Sequence, residues 1–155
     1  MPRSLRIGRE NKMNFIAKAF DGLTVRELYE IVRSRQEIFI IEQQILCREI
    51  DDIDPISLHC FIEESGKVVA YLRAFVDGDG GLHIGRVLSL RHGLGLGRRL
   101  MELALPEVYR AFGRRLITIH AQTYAEGFYE KFGFVKSSDI FLEDGLEHIG
   151  MELKP

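Results

Sequence analysis

The sequence predicts an α/β (α+β) fold built on a mixed sheet. Three observations predict it. Strand-like and helix-like segments alternate in the order β, α, β, β, β, α, β, α, β, β. Two hairpin turns stand out, Ser65-Gly66 and Asp144-Gly145. The stretch RRLITIHAQ (114–122) has the apolar centre of a strand enclosed by neighbours on both sides.

The elements follow in order. MPRSLRIGRENK (1–12) has basic residues but no apolar core, so it is no secretory signal and reads as a flexible leader. MNFIAKAF (13–20) is a first strand. Thr24 stands three residues before Glu27, a capping box. Leu28, Ile31, Val32, Arg35, Ile38 and Phe39 then recur at helical steps, giving a helix over 25–42. CREIDDIDPISLH (47–59) is acidic, contains Pro55 and reads as a loop or a broken short helix. Strands follow at 58–64, 67–76 and 82–90. Gly97 to Phe112 is helical, with Leu100, Met101, Ala104, Val108 and Phe112 on one side and Pro106 expected to kink it. After strand 114–122, YAEGFYEKFGF is a short helix stopped by Gly133. Two strands around Asp144-Gly145 close the chain.

Composition narrows the function. With 155 residues the chain is expected to be one domain with a real core. A net charge of −2, from 21 basic and 23 acidic residues, gives no general attraction to nucleic acid or to a membrane surface. No apolar run approaches the roughly 20 residues of a membrane span. Cys47 and Cys60 make no disulfide framework and read as free thiols of a cytoplasmic protein. The five histidines lack metal-ligand spacing, so no metal is expected.

One stretch carries chemistry. In SLRHGLGLGRRLMELAL (89–105), Gly93, Gly95 and Gly97 precede a helix, and Arg98 and Arg99 follow at once. A turn entering a helix exposes amide groups that lack helical partners, and their dipoles favour an anion. Glycine lets such amides turn inward and a ligand come close. A pyrophosphate fits this description. The spacing is neither a Walker loop nor a dinucleotide fingerprint: no Lys-Ser or Lys-Thr follows, and Arg98 stands where G-x-G-x-x-G needs its third glycine.

HGLGLGRRLM resembles the acetyl-CoA pyrophosphate loop of the GNAT acetyltransferases, [QR]-x-x-G-x-[GA]. AEGFYEKFGF (125–134) is similar to the superfamily's later signature, A-x-x-F-Y-x-x-x-G-F. The order of elements matches from about residue 13, so the resemblance implies an N-acetyltransferase domain over 13–155. IFIIEQ (38–43), EIDDID (49–54), IGRV (84–87), AQ (121–122) and EDGLEHIGME (143–152) are similar to the ElaA-like branch. His92 occupies the position usually held by Gln or Arg, and the strand-to-glycine connection is about two residues shorter than usual. The resemblance implies a GNAT fold: a mainly antiparallel sheet with splayed central strands, flanked by helices. It also implies acetyl-CoA as cosubstrate, with direct transfer to a primary amine of a small molecule, peptide or protein.

Site residues follow from that resemblance. Backbone amides near Leu88 and Ser89 would hold the thioester or the pantetheine arm. Gly93, Leu94, Gly95, Gly97 and Arg98 would hold the pyrophosphate, and Gln122 the cofactor's amide backbone. Tyr129 falls where the superfamily commonly places a tyrosine near the cofactor sulfur; it is either the general acid or a core tyrosine beside Phe128 and Phe132. Glu42 follows the apolar run IFII and is either a base raised by burial or a solvated helix-end charge. Arg35, Arg73 and Arg86 interrupt apolar patterns, and a buried arginine needs an acidic partner. Arg35 and Arg73 are thus salt-bridged to the acidic loop, or Arg35 and Arg86 join Asp51, Asp54 and His148 around the substrate.

Two other readings stand beside this one. RQEIFIIEQ, EIDDID and YLRAF also look like positions of the acyl-homoserine-lactone synthases, a related acyltransferase class. A non-catalytic acyl-CoA sensor is the third. A small domain ending in a β-hairpin could also form a homodimer through its edge.

Overall fold

The computed structural model describes residues 3–7 and 11–155. Its strands are β1 (Arg3–Ile7), β2 (Asn11–Ala19), β3 (Leu58–Glu64), β4 (Lys67–Val76), β5 (Leu82–Ser89), β6 (Ile117–Gln122), β7 (Val135–Glu143) and β8 (Leu146–Leu153). The helices are α1 (Val25–Arg35), α2 (Leu96–Phe112) and α3 (Glu126–Glu130). The strands form one sheet in the order β1-β2-β3-β4-β5-β6-β8-β7. Neighbours are antiparallel except β5 and β6, which run parallel. The mixed, mainly antiparallel sheet with flanking helices is as the sequence predicts.

One boundary differs. Residues 3–7, expected within a loose leader, form β1 and pair with β2 from Arg3↔Phe15 to Ile7↔Asn11. An uncovered strand edge offers a row of unpaired amides and carbonyls, and β1 satisfies those of β2. The rest of that leader, residues 1–2 and 8–10, lies outside the described residues.

The capping box of α1 forms as read. Thr24 Oγ1 accepts from the Glu27 amide at 3.0 Å, and Glu27 Oε1 accepts from the Thr24 amide at 2.8 Å. Beyond Arg35 the helix widens into a π-helical stretch, Gln36–Glu42, with the Gln43 amide reaching back to Ile38 O at 2.9 Å. α2 runs unbroken through Pro106.

Each face of the sheet carries its own core. Leu72, Ala74, Leu82, Ile84, Ile117, Ile119, Ala121, Ile149 and Met151 pack with α2 and α3 on one face. Ile16, Phe61, Tyr71 and Leu88 pack with Ile31 and Ile38 on the other. Side chains alternate between faces along a strand. Thr118, His120 and Gln122 of β6 and His148 of β8 therefore face the α1 side.

Two irregularities at the sheet's centre shape the site. β5 and β6 share only two rungs, Leu82↔Ile117 and His83↔Thr118, and then part. That is the splay the resemblance implied. β5 also bulges at Arg86, whose φ is +53°, and its register with β4 jumps between Tyr71 and Arg73. A bulge adds one residue and inverts the alternation. Before it, Leu82 and Ile84 join the α2 core; after it Val87 does, and Leu88 joins the α1 core. The reading of 82–90 as an unbroken strand missed this.

Candidate active site

The gap between β5 and β6 opens toward the glycine turn. Gly93 and Gly95 have φ of +80° and +70°. Gly95 is the N-cap of α2, and no side chain caps the helix. The first helical bond there is Arg99 N–H to Gly95 O at 3.0 Å, so the amides before it have no helical partner. Gly97 packs against the Phe128 ring, where a Cβ would lie at 3.5 Å, an ordinary van der Waals contact. Leu94 is exposed. The Arg98 side chain, also exposed, pairs with Glu102 at 3.0 Å. Uncapped amides, left-handed glycines and adjacent arginines are together chemically suited to an anion.

The β5 wall aims the Ser89 amide into the gap. Leu90 N–H donates to Val69 O at 2.9 Å. Antiparallel pairs alternate, so Leu88 forms a hydrogen-bonded pair with Tyr71 while Ser89, opposite Ala70, turns its N–H and C=O away from β4. Of the two amides expected there, Ser89's is the one directed at the gap. The Leu88 amide is held by β4, because two residues side by side cannot face the same way. The Ser89 hydroxyl donates to Arg91 O at 3.2 Å.

On the β6 wall, Gln122 Nε2 donates to Gln43 Oε1 at 3.0 Å, and Gln43 Nε2 donates to the Tyr124 hydroxyl at 3.3 Å. This bridge ties the π-helical stretch to β6 across the outer end of the gap.

Tyr129 lies on α3 in the core beneath the gap, edge-on to Phe128 and Phe134. Its packing is that of the core tyrosine the sequence allowed. Its hydroxyl has no hydrogen bond to the described residues, yet it is not among the fully enclosed polar atoms without partners. Burial pushes the phenol well above its ordinary range, so it stays protonated.

Glu42 departs from expectation. Its side chain is 51% exposed and lies 3.1 Å from His92 Nε2 of the glycine turn. The run IFII does not enclose it, because the widened helix turns residues 41 and 42 outward. Of its two readings, its exposure matches the solvated helix-end charge.

The arginines form a ring. Arg35 pairs with Glu49 and, at 2.6 Å, with Asp54. Asp54 lies 3.0 Å from Arg73, and Arg73 lies 2.6 Å from Asp51. Asp51 lies 3.3 Å from Arg86, and Arg86 lies 3.0 Å from Glu49, which closes the circle. Three cations alternate with three carboxylates. Burial raises the carboxyls of Asp51 and Asp54, but the hydrogen bonds and charges of their arginines outweigh it and hold both low. Arg35 is only 1% exposed. Arg35 and Asp54, expected beside substrate, are instead sealed under α1, since each buried charge takes the other as partner. Asp51 and Arg86 form the ring's more open side, under the Glu49 loop and the Phe39 ring. Beneath the ring, His59 bonds to the Tyr71 hydroxyl at 2.7 Å and to Asp54 O at 2.9 Å.

His148 is buried in β8, stacked on Phe141, with Nδ1 2.9 Å from Leu146 O and Nε2 3.7 Å from Glu143. The same Glu143 lies 3.0 Å from Nδ1 of His120. Neither His120 nor Glu143 was singled out from the sequence. The signal was present in ITIHAQ: with Ile117, Ile119 and Ala121 inward, His120 has to face outward with Thr118 and Gln122.

Comparisons with known proteins agree with this geometry. Residues 28–155 match the acetyltransferase (GNAT) domain family. A UPF0039 protein of Schizosaccharomyces pombe is 35% identical over 148 residues, 93% of this chain and 99% of that protein. The crystal structure of an acyl-CoA N-acyltransferase from Pseudomonas aeruginosa is similar with a TM-score of 0.84 and 34% identity, covering 90% of this chain and 98% of that one. That of Escherichia coli ElaA also has a TM-score of 0.84, with 27% identity and the same coverage of both chains.

Proposed function

We propose that this chain, which belongs to the GNAT acetyltransferase family, is an acetyl-CoA-dependent N-acetyltransferase acting on a primary amine. The amine belongs to a small molecule or a peptide, and transfer is direct within a ternary complex. One observation carries the reading: the uncapped N-terminus of α2 opens at the mouth of the gap between β5 and β6. A diphosphate on the amides around Gly93, Leu94, Gly95 and Gly97, beside Arg98, leaves the thioester arm to run inward along Ser89. Gln122 stands at the same mouth. The Ser89 amide is the candidate donor to the carbonyl oxygen as it gains negative charge. Tyr129 is the candidate acid for the departing thiolate. The acceptor enters from the α1 side, where Asp51, Arg86 and His148 border the open face. The end strand β7 exposes Val135, Ile140 and Leu142, which supports a homodimer through that edge.

The residues behind the likeness to acyl-homoserine-lactone synthases, Arg35, Asp51, Asp54 and Arg73, hold one another in the ring. That leaves the amine-acceptor reading ahead.

Calorimetry with acetyl-CoA tests the cradle, and thiol release in the presence of primary amines, including a lysine peptide, tests the transfer. Tyr129→Phe is expected to slow turnover by about 10²–10⁴-fold with cofactor affinity nearly intact. A protein that takes up no acetyl-CoA overturns the proposal; one that binds it but acetylates no amine, with Tyr129→Phe silent, supports the sensor.

A further inference from the structure

An amine is mostly an ammonium ion at neutral pH, so the transfer just proposed requires a base, and the burial argument for Glu42 does not hold. We propose that His120 is that base, oriented by Glu143; this rests on the acetyltransferase reading above.

The placement comes from register. The gap closes at the rung His83↔Thr118, and His120 is the next residue of β6 facing the α1 side. Gln122, one step further out, is bridged to Gln43. His120 thus stands at the inner end of the gap, about 7 Å below that bridge. An arm anchored at the glycine turn and running inward brings its thioester to this end. Tyr129 approaches from the α2 and α3 side of the sheet, and His120 from the other. The amine and the leaving thiolate are therefore served from opposite faces.

The imidazole is held for the task. Nδ1 lies 3.0 Å from Glu143 Oε1, and the ring packs edge-on against Phe141, with centroids 5.1 Å apart. A carboxylate accepting from Nδ1–H fixes the tautomer in which Nε2 carries the lone pair. His120 is 46% exposed, so a proton taken up there can pass to water. The titratable groups around it are Glu143 of β7, His148 of β8 and His83 of β5. His148 is held by Leu146 O and His83 by Asp77 at 2.5 Å, while Glu143 is shared between His120 and His148. Asp144, next along the hairpin, lies near enough to act electrostatically on Cys47 across the open face.

The step balances. One N–H bond of the ammonium breaks, its proton goes to His120 Nε2, and the electron pair stays on nitrogen. That nitrogen attacks the thioester carbonyl, the C–S bond breaks, and Tyr129 protonates the thiolate. The second nitrogen proton, passed through water, restores the phenol. The first leaves His120 for solvent, so each turnover releases one proton.

Two measurements test this. Nitrogen-15 NMR of imidazole-labelled protein is expected to show the Nδ1–H tautomer at His120 in the neutral form, lost in Glu143→Gln. The Nε2–H tautomer in the unsubstituted protein overturns the proposal whatever the acceptor is. In the thiol-release assay with the lysine peptide, His120→Gln is expected to lower kcat at least 100-fold with KM for acetyl-CoA unchanged. The ascending limb of the kcat–pH profile disappears with it. Glu143→Gln is expected to lower kcat about tenfold and to shift that limb. An active protein whose rate and pH profile are untouched by His120→Gln overturns this inference alone. A protein that binds no acetyl-CoA overturns the acetyltransferase reading and this one with it.

Discussion

One face of the sheet carries two polar regions, and they differ in kind. Under α1, Arg35, Glu49, Asp54, Arg73, Asp51 and Arg86 pair charge with charge in a closed ring, although Glu49 Oε2, Arg73 Nε and Arg86 Nε have no hydrogen-bond partner among the described residues. Around the gap beyond β5 the groups keep something free: the Ser89 amide, the amides entering α2, and Nε2 of His120. The first region is denser in charge, yet it offers a visitor little. A functional site is marked less by charge than by unmet hydrogen-bonding capacity that a ligand can reach.

The largest effect expected from perturbing this contrast is in the ring. Arg35→Ala should destabilise the protein by about 3–5 kcal/mol in denaturant titration, because Asp54 and Glu49 lose a buried partner. A loss under 1 kcal/mol would mean that the ring is solvated. The ring should also fail in acid. The carboxyls of Asp51 and Asp54 are held low in the fold, so they stabilise it above their unfolded range of about 3.9 and lose this as pH falls below it. His59 adds an earlier step. Burial, with the charges of Arg35 and Arg73, outweighs Asp54 and depresses its imidazole, so stability declines once pH drops below about 6.5. Denaturation midpoints measured from pH 8 to 3 should show both steps, and a flat profile would contradict the ring's burial.

In the open region the effects are smaller and fall on binding. A Cβ at Gly95 meets nothing within 4 Å, so Gly95→Ala perturbs only the left-handed backbone. It should cost about 1–2 kcal/mol of stability and weaken acetyl-CoA binding about tenfold by calorimetry. The exposed pair Glu42–His92 marks the lower end: Glu42→Gln should change stability by less than about 0.5 kcal/mol. A larger loss would show that this contact clamps the turn.

Much of this was legible in the sequence. Periodicity gave α1, the Thr24-Glu27 pair gave its start, and Gly93 to Gly97 gave the uncapped turn into α2, since these signals act between residues close in the chain. What was not legible is long-range. Arg86 interrupts the apolar pattern of LHIGRVLSL, but nothing in that run announces its positive φ or its contacts with Glu49 and Asp51. Arg35 and Asp54 could be read as structural or as substrate-facing until α1 was seen to close over them. His120 and Glu143 are 23 residues apart and meet only because β8 inserts between β6 and β7. β1 went unread because a short run such as RSLRI acquires its meaning from the edge it joins.

The bulge at Arg86 has a consequence for how this segment tolerates change. Beyond it, spacing matters more than side-chain identity: what a guest molecule would touch is main chain, and only residue count decides which amide points outward. Substitutions at 87 or 89 leave that count intact, whereas gaining or losing a single residue between 86 and 90 swaps inside for outside along the whole rail.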